Sequence, residues 1–204
     1  MIEGFGPTMS PDILYEEDGT TPLNNDELQG LKLDWVTTRG ELNSAERTNI
    51  EKAEEWIRKQ RTLKILDAPF LKRLHKTMFG EVWKWAGTFR TSEKNIGVET
   101  WRIGTELRQL LDDVSYWIEN HTYPPDEIAA RFHHRLVKIH PFPNGNGRHA
   151  RLATNLLLTR LNRDVFSWGA NCREPIAEIR ARYIAALRAA DGENYAPLFA
   201  FVRS

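Results

Sequence analysis

Residues 140–151 read His140-Pro141-Phe142-Pro143-Asn144-Gly145-Asn146-Gly147-Arg148-His149-Ala150-Arg151, and the fold is read outward from them. Upstream, Pro124-Pro125-Asp126 is a helix-opening signal, and Ile128, Phe132, Leu136 and Ile139 follow at helical spacing straight into His140. Downstream, RHARLATNLLLTRLN (residues 148–162) predicts a buried helix. The quoted stretch therefore joins a helix end to a helix start. Gly145 and Gly147 let the backbone curl with its N–H groups inward, because glycine tolerates positive φ. Those groups, followed by the positive end of a helix, make a nest suited to phosphate. Arg148 and Arg151 stand three apart on one face of the first turn, where both guanidinium forks can reach phosphate oxygens. His140, just before the nest, can take a proton from an attacking hydroxyl as a neutral imidazole. Base, nest and paired arginines point to phosphoryl or nucleotidyl transfer.

The rest of the chain reads as further helices with one break. A helical pattern starts near Asn43-Ser44 and continues through EKAEEWIRKQ (51–60). Asp67-Ala68-Pro69 opens the next helix, with Phe70, Leu71, Leu74, His75 and Met78 at helical spacing and Gly80 as its stop. From Trp83 to about Arg102, β-branched and aromatic residues mix with Gly87, Asn95 and Gly97, which predicts a short β-hairpin or extended flap. Helical periodicity returns in LRQLLDDVSYWIEN (107–120). A final helical pair covers PIAEIRARYIAALRAA and YAPLFAFVR, split at Asp191-Gly192. The expected fold is a mostly α-helical bundle with a short β-hairpin flap. It divides into an irregular arm (1–36, rich in Gly and Pro), an N-terminal helix with its preceding motif (37–64), and a core (65–204).

Composition narrows the function classes. Lys+Arg and Asp+Glu stand equal at 28 each, so no global field steers the chain to nucleic acid or an anionic membrane. The single cysteine, Cys172, excludes an internal disulfide framework and fits a reducing compartment. The first residues lack a basic region followed by an apolar run, and no stretch is apolar enough to span a bilayer, so a cytoplasmic protein is expected.

The quoted stretch resembles the Fic/Doc pattern H-x-F-x-[D/E]-G-N-G-R-x-x-R at His140, Phe142, Gly145, Asn146, Gly147, Arg148 and Arg151. The resemblance covers roughly residues 65–200 and implies a Fic-type helical core acting as a protein adenylyltransferase, with ATP as substrate and Mg²⁺ or Mn²⁺ as cofactor. It implies His140 as general base toward a Tyr, Thr or Ser hydroxyl of a target protein, and Phe142 as buried anchor. Gly145, Asn146 and Gly147 would form the anion hole, Arg148 would hold the phosphate tail, and Arg151 the γ-phosphate. Asn146 and Arg148 join His140 in the expected catalytic set. Trp85-Ala86-Gly87, Phe89-Arg90 and TSEKNIG resemble the family's target-binding flap, with Lys94, Asn95 and Ile96 at its tip. Gly147 favours AMP transfer, since the phosphorylating branch carries Lys there. Asn144 departs from the pattern: Asp or Glu usually holds the cation, and an Asn oxygen can ligate it but brings no charge.

Thr37-Thr38-Arg39-Gly40-Glu41-Leu42-Asn43 resembles the inhibitory motif [S/T]-x-x-x-E-[G/N] of autoinhibited relatives, with Leu42 as a departure. The resemblance implies that Glu41 pairs with Arg151, and that it aligns water for AMP removal in some relatives. A plain reading of Glu41 is an acidic residue in a helix's first turn, where the dipole favours it. GTTPL, TTRGELN and HPFPNGNGRHAR together are similar to a subgroup labelled mobile mystery protein B, which implies a helix-turn-helix partner protein without direct contact to nucleic acid. Some relatives regulate themselves through dimers, so the resemblance admits a homo-oligomer, although no stripe in the chain marks one.

Two rival readings fit the residues less well. Metal hydrolysis would use His133, His134, His140 and His149, but no H-E-x-x-H is present and adjacent His133 and His134 point apart on a helix. A decayed fold that only binds nucleotide or a partner would explain Asn144, but such a binder has no need of His140. Trp168 in FSWG is a candidate to line an adenine pocket, with packing as the plainer role.

Overall fold

The computed structural model describes residues 23–60 and 63–204, and the Gly- and Pro-rich arm through Pro22 lies outside them. Eight α-helices follow in order among the described residues: α1 Asn25–Leu28, α2 Arg39–Arg58, α3 Ala68–Phe79, α4 Ile103–Glu119, α5 Pro125–Ile139, α6 Asn146–Arg160, α7 Ile176–Asp191 and α8 Ala196–Val202. Helix α5 opens with its proline in the first turn and acidic Asp126 and Glu127 beside it, as the sequence predicts. Its expected stripe is buried throughout, with Ile128, Phe132, Leu136 and Ile139 all inside the core.

Helices α5 and α6 form a central wall with a hydrophobic cluster on each side. The larger cluster gathers Leu42 and Ala53 of α2, Leu71, Leu74 and Met78 of α3, and Leu107 and Leu110 of α4 against Phe132 and Leu157. The smaller joins Ala129, Ala130 and Leu158 to Tyr183, Leu198 and Phe201 of α7 and α8. Because α5 faces both clusters, the loop at its C-terminal end is fixed from two sides.

Two expectations are corrected. Helix α2 begins at Arg39 rather than near Asn43. Thr38 caps it, its hydroxyl accepting the Glu41 N–H at 3.3 Å while Glu41 Oε2 accepts the Thr38 N–H at 3.0 Å. That reciprocal pair is a capping box, which holds the helix start earlier than the apolar pattern indicates. The flap is not a β-hairpin: among the described residues the one bridge nearby pairs Leu31 with Trp83. Arg90 explains why. Its guanidinium lies within the flap and donates to the carbonyls of both Ser92 and Val98, so the two arms close on a side chain instead of on each other.

Candidate active site

Helix α5 ends where His140 turns left-handed, at φ 52° and ψ 60°. A non-glycine residue in that region is held there at a cost, of order 1 kcal/mol, by its surroundings. The surroundings here are the flap. Three successive carbonyls are tied to it: Val98 N–H donates to Ile139 O at 3.4 Å, Arg90 Nε to His140 O at 2.7 Å, and Arg90 N–H to Pro141 O at 2.9 Å. Gly97 closes the contact. A Cβ there would stand 2.8 Å from the His140 Cβ, so no larger residue fits without displacement. The flap therefore fixes the backbone of the expected base.

The His140 ring is buried, which pushes its pKa down to about 4, helped by the nearby Arg90 and Lys94 charges. Its ring is neutral at physiological pH and able to accept a proton.

The loop then turns through Gly145, left-handed at φ 77°, which serves as N-cap of α6. The Phe79 ring lies directly beneath: a Cβ at 145 would come within 2.7 Å of its carbons. Helix α6 has no side-chain cap, so the N–H groups of its first turn lack the partner that Thr38 supplies to α2. Beside Gly147 the space is open, with nothing within 4 Å of an added Cβ. An uncapped helix start of this length, flanked by arginines, is an anion site in waiting.

Arg148 stacks over Phe79 at 4.9 Å and pairs with Glu46 Oε2 at 2.8 Å. Glu46 is 4% exposed, and its other oxygen accepts the Trp83 indole N–H at 2.7 Å. Arg151 stands on the Tyr183 and Trp168 rings at 4.5 and 5.8 Å, and its buried Nε has no hydrogen-bond partner among the described residues. Trp168 thus faces the second arginine of the motif, and its indole N–H donates to Asn155.

The structure sorts the remaining expected site residues. Phe142, the expected anchor, is fully buried and stacks on His75 at 3.8 Å. The Asn146 side chain clamps both the N–H and the carbonyl of Phe142, at 2.9 and 2.8 Å, so its own N–H is what it can offer to an anion. Asn144 Oδ1 accepts the Gly145 N–H at 2.6 Å. Lys94 does not project from the flap but is tucked against Glu27 of α1, whose carboxylate also accepts from Ser92. Asn95 and Ile96 remain outside, with Ile96 49% exposed. Glu41 accepts from Thr37 and Thr38, and among the described residues no ion pair joins it to Arg151. Among the described residues the acidic group that reaches a motif arginine is Glu46. Sequence reading missed it because burial beside Trp83 is what gives it meaning, and no Ser or Thr stands four residues before it.

A family model described as Fic/DOC family matches residues 65–158. Residues 65–158 are similar to a Fic/DOC family domain. The protein adenylyltransferase fic-1 of Caenorhabditis elegans is 34% identical over 120 residues, 57% of this chain and 22% of that protein. The protein adenylyltransferase Fic of Drosophila grimshawi is 34% identical over 91 residues, 43% of this chain and 19% of that one. The chain thus spans about a fifth of the curated relatives' length. Among solved structures, C. elegans Fic-1 aligns with a TM-score of 0.62 at 25% identity, over 86% of this chain and 56% of that one. The BepC protein of Bartonella tribocorum, solved with bound AMPPNP, gives 0.66 at 20% identity over 96% of both chains. The latter shares the Fic fold.

Proposed function

We propose that this chain is a protein adenylyltransferase that moves AMP from ATP onto a Tyr, Thr or Ser hydroxyl of another protein. One observation carries the reading: a buried, neutral His140, braced by the flap, stands directly before an uncapped helix start that bears two arginines. In the reaction His140 takes the hydroxyl proton as the acceptor oxygen attacks the α-phosphorus. The bond to the bridging oxygen breaks and pyrophosphate leaves. The N–H groups of Asn146 and Gly147 face the charge that builds on the phosphate oxygens. Arg151, the second arginine of the motif, receives the far end of the triphosphate. The names of the curated relatives support AMP as the transferred group.

Among the described residues no group of donors makes a resident cation site. Position 144 offers a neutral amide whose oxygen is turned onto Gly145, and no carboxylate flanks it in the loop. Magnesium sites ordinarily draw on one or two carboxylates in addition to phosphates. A divalent cation would then come with the nucleotide and be held by its phosphates, and no step above runs through it.

Glu46 acts as a brake in this reading. The Glu46 carboxylate holds one terminal nitrogen of Arg148, so nucleotide competes with that ion pair for the guanidinium. Glu41, expected in that role, is used by the α2 cap, and AMP removal through it is not part of the reading. A helix-turn-helix protein as partner rests on the subgroup resemblance alone.

Parallel incubations of the protein with lysate and either α- or γ-labelled ATP test the proposal. Label from the α position alone means AMP transfer, and from the γ position alone means phosphate transfer and a wrong assignment. Label from neither, with nucleotide bound, would make the chain a binding module.

A further inference from the structure

His75, on the inner face of α3, takes no part in the chemistry above, yet it is fully buried and both its ring nitrogens are engaged. The Gly87 N–H, at the root of the flap, donates to Nδ1 at 3.0 Å. Since Nδ1 accepts, the ring proton sits on Nε2, which donates to the Asn144 carbonyl at 3.0 Å. The tautomer is thus set by its partners. One imidazole spans the two segments that must meet around a nucleotide: the loop that starts the anion nest and the flap that braces His140. Its faces are fixed too, stacked on Phe142 at 3.8 Å and edge-on to His149 at 5.6 Å.

Both ends of this link sit where backbone direction matters. The Asn144 carbonyl belongs to the peptide that leads into left-handed Gly145, so holding it sets how the first turn of α6 is presented. Gly87 is itself left-handed at φ 81° and packed so closely that an added Cβ would stand 2.7 Å from Lys76 Cβ and 2.8 Å from Lys72 O. Helix α3 therefore carries the flap root and the tether on one rigid face.

We infer that His75 is a positioning residue that holds the nucleotide loop and the flap in register through one neutral imidazole. The inference deepens the proposed function. Three substitutions separate the two bonds. His75→Gln can place an amide N–H near the Nε2 position and keep the Asn144 bond while losing the acceptor for Gly87. His75→Asn can place a carbonyl near the Nδ1 position and keep Gly87 while losing Asn144. His75→Phe keeps the stacked ring and loses both.

The test is hydrogen exchange of the full chain, followed peptide by peptide, with AMPPNP titration by calorimetry beside it. His75→Gln should lower protection in the flap segment 87–98 about three- to tenfold, the usual net value of one hydrogen bond, with loop 141–147 unchanged. His75→Asn should do the reverse and weaken AMPPNP binding by a similar factor. His75→Phe should loosen both segments. Loss of protection spread evenly over α3, α5 and α6 in all three variants would make His75 a packing residue and overturn the inference, as would protection unchanged in both segments. If the wild-type chain binds no AMPPNP, the proposed function fails, but the exchange pattern still decides the role of His75.

Discussion

Glu46→Gln separates the brake from the packing around it. The substitution keeps the shape and leaves an amide oxygen to accept the Trp83 indole N–H, but removes the charge that faces Arg148 at 2.8 Å. The Glu46 side chain is 5% exposed and the Arg148 side chain 40% exposed, so the pair is half screened. A charge-assisted bond is worth about 1.5–3 kcal/mol, and screening on the Arg148 side argues for the lower end. If nucleotide must break this pair to recruit Arg148, its removal should tighten AMPPNP binding about tenfold, the equivalent of about 1.4 kcal/mol. The same loss from the resting protein should lower the melting temperature by about 3–6 °C for a chain of this size. Calorimetric titration and a thermal melt read the two quantities independently. Tighter binding with a lower melting temperature is the expected signature. A lower melting temperature with unchanged or weaker binding would refute the reasoning, because Glu46 would then be aiming Arg148 at the phosphates instead of withholding it.

Other positions test other links. Gly145→Ala puts a methyl group against Phe79 in a left-handed turn, and should cost about 1–3 kcal/mol in thermal stability and abolish nucleotide binding. Asn144→Asp supplies the missing carboxylate, so AMPPNP titrated with and without Mn²⁺ should show a metal dependence larger than that of the wild type. His133 is pushed down to about 3, and His140 and His149 to about 4, all mainly by burial. Each stays neutral in the folded state while its unfolded counterpart takes a proton below about pH 6.5. Their stabilisation is therefore complete above pH 6.5 and lost as pH falls toward 4, on the order of 3 kcal/mol for His149 alone. Denaturant melts at pH 7, 5.5 and 4.5 should show that steep loss, and a flat profile would contradict it.

Much of this was legible in residues 140–151 because the turn there is written in glycines and the helices on either side carry clear apolar stripes. Ile128, Phe132, Leu136 and Ile139 announce α5, and burial of those chains followed. What stayed hidden were contacts between distant segments. Nothing local distinguishes Glu46 from its exposed neighbours on α2 until Trp83 and Arg148 close on it. Thr37 to Glu41 show the converse: a spacing that resembles a regulatory motif also satisfies a capping box, and the local hydrogen bonds took the carboxylate. The flap misled in a similar way. Its composition suits a hairpin, but Arg90 fills the ladder positions from within and donates its Nε–H to the His140 carbonyl.

The central claim is that His140 moves a proton and does not hold the nucleotide. AMPPNP affinity and AMP transfer from α-labelled ATP, measured side by side for wild type and His140→Ala, test it most directly. The account predicts transfer lost by at least about a hundredfold, the low end for a missing general base, with affinity within about twofold of wild type. Transfer that persists in His140→Ala, or affinity that falls in step with it, would contradict the account.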